Sequence, residues 1–228
     1  MMPFFFGSSS RPLYGVLDAA RGGGRAGVVI CQPAGDEYFH AHRSCRLLAR
    51  RLGDAGVHAL RFDPSGTGDS GGELDEVSWE DWVRDVELAI EELRATAGVH
   101  TVMLVGLRAG CVAALVAGLR DPDVDGLVLW DPLGLDDVAT GAPHGVPTCG
   151  EAVLEARGED AREMLLLLTR EAAESSSAMG ALLREQGHDV EVATFEEAGA
   201  WEAGEGVGSV PIPARSIQEI VRWLEGRR

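Results

Sequence analysis

The sequence predicts an α/β fold with a mainly parallel central sheet and helices on both of its faces. Short apolar runs rich in Val, Ile and Leu alternate with segments of helical periodicity, the pattern of strands buried on both sides. A tight Gly106-Leu107-Arg108-Ala109-Gly110 turn joins one such run to a helix of small residues. The 228-residue length fits one domain over the whole chain.

The elements follow in order. Phe4–Phe6 and Tyr14–Leu17 read as short strands joined by the turn-rich Gly7-Ser8-Ser9-Ser10. Gly27–Cys31 is a buried-type strand. Arg43–Ala55 has helical spacing, with Leu47, Leu48 and Leu52 on one face and Gly56 placed to end it. Val57–Phe62 is the next strand, followed by the glycine-rich Pro64–Gly72. Ser78-Trp79-Glu80-Asp81 starts a helix carried on by Trp82, Val86, Ile90 and Leu93. Thr101–Val105 is the most apolar strand, and the helix Cys111–Leu119 follows its turn. Gly126–Trp130 is a strand closed by Asp131-Pro132. Residues 133–160 lack periodicity and read as an irregular excursion, a reduced cap at most. Strand Met164–Leu168, helix Ser175–Gln186, strand Val190–Phe195, an acidic loop Glu196–Val210 and helix Pro213–Gly226 complete the chain.

With 20 basic against 37 acidic residues the net charge is −17, a field that repels nucleic acid and anionic membranes. No stretch reaches the roughly 18 apolar residues that span a bilayer. The apolar opening Met1–Phe6 is too short and has no basic flank for a signal peptide. A cytoplasmic protein is expected. The four cysteines, Cys31, Cys45, Cys111 and Cys149, form no CxxC pair, so no metal site, cofactor or redox motif is expected of them. Cys111 reads as a small core residue, and Ser65, Ser70, Asp63 and Asp69 as groups that bind the backbone of their own loop.

The strand–Gly106-x-Arg108-x-Gly110–helix unit resembles the nucleophile elbow of α/β-hydrolases. Asp63-Pro64-Ser65-Gly66-Thr67-Gly68-Asp69-Ser70 is similar to the D-x-x-G-x-G-x-S segment after their fourth strand, and Gln32–Glu37 lies where they carry an oxyanion loop. Over residues 27–130 the chain therefore resembles the α/β-hydrolase fold. The series Cys31-Gln32-Pro33, Glu37-Tyr38, His42-Arg43, Leu48-Ala49-Arg50, Leu60–Asp63, Gly68–Ser70 and Gly106-Leu107-Arg108 narrows this further. It resembles the bacterial exosortase A system-associated hydrolases of the second type, beside serine aminopeptidase S33-like proteins. That resemblance implies a role near polysaccharide or protein-sorting gene clusters, in a group that often carries arginine at the elbow.

Acyl transfer needs a nucleophile, a base and a group that orients the base. The elbow offers Arg108, which stays protonated and cannot attack a carbonyl. After Met164–Leu168 there is no aspartate, only Glu171 or Glu174. After Val190–Phe195 there is no histidine, and Trp201 stands near its place. His188 precedes that strand and would lie at the opposite end of the sheet. Glu37, His40, His42 and Arg108, with Ala109 beside them, are expected together at the carboxyl ends of the strands, where open α/β sheets bind ligands. Buried charge needs a partner, so Glu37 is expected to pair with Arg108, or Arg108 to present its fork to a carboxylate or phosphate. The function expected is that of a non-catalytic protein binding a small anionic ligand or a partner protein in an open cleft. The alternatives are an esterase, thioesterase or peptidase with a displaced site around Glu37 or His42, and a scaffold acting through its acidic loop.

Overall fold

A computed structural model describes residues 1–155, 161–169, 173–202 and 211–227. Eight strands form one sheet: β1 (Met2–Ser8), β2 (Arg11–Asp18), β3 (Ala26–Cys31), β4 (His58–Phe62), β5 (Thr101–Leu107), β6 (Val124–Trp130), β7 (Glu163–Thr169) and β8 (Asp189–Phe195). Their spatial order is β1-β2-β4-β3-β5-β6-β7-β8. The β1–β2 and β2–β4 pairs are antiparallel; every pair from β4 across to β8 is parallel. All the strands expected from the apolar runs are present.

Helices α1 (Gly35–Asp54) and α6 (Ala214–Glu225) cover one face, and α2 (Trp79–Ala97), α3 (Gly110–Arg120), α4 (Cys149–Glu155) and α5 (Ala173–Glu185) the other. The α1 side buries Ala41, Cys45, Leu48 and Leu52, spaced three or four apart, against Val28, Ile30 and Ala59, with Ile217, Ile220 and Trp223 of α6 beside them. The opposite layer packs Trp82, Val86, Ile90 and Leu93 of α2, and nearly all of α3, on Val29, Leu104 and Leu127. Because α3 is buried on almost every side, its small residues are a packing requirement. The start of α2 is a capping box. Asp81 N–H donates to the Ser78 hydroxyl at 3.2 Å, and Ser78 N–H donates to the Asp81 carboxylate at 2.9 Å.

Two elements differ from the sequence reading. Helix α1 begins at Gly35, two turns before Arg43, so His40 and His42 lie on a helix and not in a loop. Those first turns overhang the end of the sheet and bury little, which removes the apolar signal; Asp36 and Glu37 there complement the positive helix end. The excursion after β6 also holds a short helix, α4, whose Cys149, Ala152 and Val153 pack into the α3 layer. Seven residues give too little periodicity to be seen. No described helix is long and apolar enough to cross a membrane.

Candidate functional site

The site is organised by the turn between β5 and α3. Gly106 and Gly110 allow backbones to touch: a Cβ on Gly106 would lie 2.5 Å from Cys111 Cα, and one on Gly110 would run into the Cys31 and Gln32 carbonyl oxygens. Arg108, between them, has φ +55°, a left-handed conformation that non-glycine residues adopt at some expense. Its N–H donates to the Trp130 carbonyl at 3.1 Å, which ties the turn to the end of β6.

The Arg108 side chain is held on several sides. Its Nε and Nη2 both lie 3.0 Å from Glu37 Oε1. Nη1 donates to the Asp131 carbonyl at 3.3 Å, and the guanidinium carbon sits 4.5 Å from the centre of the Trp201 ring. Trp201 is buried and its carbonyl accepts a hydrogen bond from His40 Nδ1 at 3.1 Å, which requires that nitrogen to carry the proton. So α1 brings Glu37 and His40, the elbow brings Arg108 and Ala109, and the segment after β8 brings Trp201. Beside them a small cleft of about 210 Å³ is lined by Glu37, Arg108, Ala109 and, from the excursion, Leu133 and Asp137–Thr140.

The expected Glu37–Arg108 pair is therefore formed. His42 is not part of the group: positions 40 and 42 of one helix point to different sides, and His42 faces Tyr38 and a second pocket. Glu171 lies outside the described residues. His188 is buried at the other end of the sheet, where its Nδ1 accepts from Arg162 N–H at 3.2 Å. Burial raises the Cys111 thiol well above its ordinary range, and it donates to Gly106 O at 3.2 Å, the bonding of an inert core residue. Ser70 donates to the Asp63 carbonyl and Asp63 accepts from Asp69 N–H at 3.1 Å, bonds within the loop as expected. Ser70 also accepts from Tyr14 N–H of β2 at 2.8 Å and Ser65 donates to the Asp85 carboxylate of α2 at 3.0 Å, so the loop is tied to its neighbours as well as to itself. Among the described residues no group of three His, Cys, Asp or Glu side chains is arranged to hold a metal ion.

The sequence reading missed Asp131. It has φ +46° and is fully buried at the end of β6, and its Oδ1 accepts from Thr169 N–H at 2.5 Å and Thr169 Oγ1 at 3.0 Å. Its Oδ2 is buried with no hydrogen-bond partner among the described residues. Burial pushes its pKa up from 3.8 to about 7, against the lowering effect of the Thr169 bonds and Arg108.

A family model described as serine aminopeptidase, S33, matches residues 25–175. The chain belongs to this family of α/β-hydrolases. The S33 match contains both glycines of the elbow and the whole loop after β4. The fold agrees with solved structures of serine hydrolases at low identity. An α-β serine hydrolase homologue from Coxiella burnetii matches with TM-score 0.68 at 14% identity, covering 99% of this chain and 96% of the other. Est1E from Butyrivibrio proteoclasticus, solved with ferulic acid bound, matches with TM-score 0.70 at 12% identity over 98% and 96%. The Pyrococcus furiosus esterase Pf2001 matches with TM-score 0.72 at 13% identity over 99% and 90%. No curated protein matches the chain.

The ion pair gives a first prediction. Arg108 and Glu37 side chains are 17% and 29% exposed, between the exposed and buried limits. Glu37→Gln should destabilise the fold by about 1–2 kcal/mol, less than a fully buried pair and more than a surface one. Denaturant midpoints with unchanged m-values would show it; an unshifted midpoint would mean that the pair does not tie α1 to the elbow.

Proposed function

We propose that this chain is a non-catalytic member of the S33 α/β-hydrolase family that binds a carboxylate in the cleft over Arg108, either free or on a partner protein. What carries the reading is Arg108 itself. It stands at the elbow position from which this fold presents its nucleophile, and it is clamped by Glu37 and covered by Trp201. A guanidinium has no proton to give up near neutral pH and no lone pair with which to attack an acyl carbon. Two further positions support the reading: Trp201 follows β8 where a general base would be expected, and His40 spends its Nδ1 proton on the Trp201 carbonyl. The exosortase A-associated hydrolases that the sequence resembles often carry arginine at the elbow as well.

The carboxylate preference follows from the donors left over. Arg108 has five N–H groups, of which two donate hydrogen bonds to Glu37 and the Asp131 carbonyl, with Nη2 also in ion-pair contact with Glu37. The remaining edge is planar and suited to a carboxylate. Glu37 already neutralises the charge, so modest affinity is expected.

The competing reading is a hydrolase with a displaced site, favoured by the raised pKa of Asp131 one strand away from the elbow. The deciding experiment is hydrolysis of short-chain p-nitrophenyl esters, thioesters and aminoacyl p-nitroanilides by the purified protein, beside Arg108→Ala and Glu37→Ala. No turnover above the buffer rate is expected, and no labelling by a fluorophosphonate. Turnover lost in either variant would overturn the non-catalytic reading, because those side chains would then be building an active site.

A further inference from the structure

A second pocket, of about 220 Å³, opens between the outer side of α1 and the ends of β2 and β4. It shares no lining residue with the Arg108 cleft and does not depend on the function proposed for it. Its floor holds Arg61 of β4, 4% exposed, in register with Val16 and Ile30. The contact that answers this charge is Asp18 Oδ2, 3.6 Å from Nη2, too long for a hydrogen bond. Arg61 Nε is buried without a hydrogen-bond partner among the described residues, and so is Gln32 Oε1 in the same pocket. A guanidinium withdrawn from water normally has its donors met, because an unmet one loses hydration without return. This one is only partly satisfied among the described residues.

The charges around it are mixed. Arg46 stands with Arg61 on the basic side of the account, Asp63 and Asp69 on the acidic side. Asp63 is fixed by Tyr38 O–H at 2.8 Å, Gln32 Nε2 at 3.3 Å and Asp69 N–H at 3.1 Å, so its carboxylate is oriented before anything binds. Burial and the nearby Arg61 lower the His42 pKa below its ordinary 6.5, so His42 adds no charge at neutral pH. Two positive and two negative side chains in so small a space suit neither a simple anion nor a simple cation. They suit a small molecule that carries one charge of each sign a few ångströms apart.

We propose that this pocket binds a free α-amino acid, its carboxylate on Arg61 and Arg46 and its ammonium group on Asp63 and Asp69. The volume is below that of pockets for drug-sized ligands, which favours a short side chain.

Isothermal titration of the purified full chain with glycine, L-alanine and L-leucine tests this, with acetate and methylamine as single-charge probes. Saturable one-to-one binding of glycine or alanine is expected, with acetate and methylamine at least tenfold weaker. Arg46→Ala and Asp69→Asn change exposed side chains and should leave the circular dichroism unchanged while each weakens binding about tenfold. No saturation by any amino acid up to about 10 mM would overturn the proposal. So would acetate binding as tightly as alanine, which would make the pocket a plain anion site. Full affinity in Asp69→Asn would overturn it as well, since the ammonium contact would be absent.

Discussion

Replacing Asp131 by asparagine will stabilise the protein at pH 8, and the gain will disappear toward pH 5. Burial holds the Asp131 carboxyl at about 7 against an ordinary 3.8, with Glu202 pushing in the same direction. A carboxyl whose folded pKa exceeds its unfolded one binds its proton more tightly in the folded state. Its contribution is then fully present below the unfolded value and is lost as pH rises through the folded value. The shift of about three units bounds that loss at roughly 4 kcal/mol. Asparagine keeps the acceptor for Thr169, removes the charge, and tolerates φ +46° better than most residues. A net gain of about 1–3 kcal/mol at pH 8 is expected. Asp85, raised to about 6 by burial over its bonds from Ser65, titrates in the same sense, whereas His42 and His188, both lowered, oppose it below pH 6.5. These groups are common to both proteins and cancel in the difference. Denaturant unfolding of both at pH 8, 7, 6 and 5 measures it. A difference that stays constant across this range would show that Asp131 is charged throughout.

What the sequence made legible was set by how local the signal is. Strands such as Thr101–Val105 and Met164–Leu168 announce themselves because both faces are buried and the runs between turns are shorter than a helix buried all round, such as α3. The Glu37–Arg108 pair was legible from electrostatics alone: an arginine at a cleft floor needs a carboxylate, and Glu37 was the acidic residue carried to the same sheet edge. Glu37 reaches it from the first turn of a helix, however, because residues 35–42 pack on little and so lack the period that betrays a helix. Asp131 was not legible. An aspartate between a strand and a proline reads as a turn, and its burial depends on Thr169, 38 residues away. Arg61 was hidden similarly: in Leu60-Arg61-Phe62 it looks like a strand residue facing solvent, and only α1 laid over it makes it a buried charge.

The elbow glycines should tolerate substitution poorly. Gly110→Ala is expected to destabilise the fold by more than about 3 kcal/mol, enough to lower soluble yield sharply. The added methyl would meet the backbone carbonyls of Cys31 and Gln32, the latter at 2.6 Å, where β3 ends. Backbone cannot move aside as a side chain can, so either α3 lifts from the sheet or β3 shifts, and both are packed over their full length. Gly98→Ala is the control. Gly98 ends α2 at φ +63° with nothing within 4 Å of its Cβ position, so alanine there meets only the left-handed backbone penalty of about 1 kcal/mol. Thermal and denaturant melts of the two variants separate steric crowding from backbone strain. If Gly110→Ala melts within about 1 kcal/mol of Gly98→Ala, the close approach of α3 to β3 is adjustable. The left-handed Arg108 would then owe its position to Glu37 and Trp201, not to the turn that carries it.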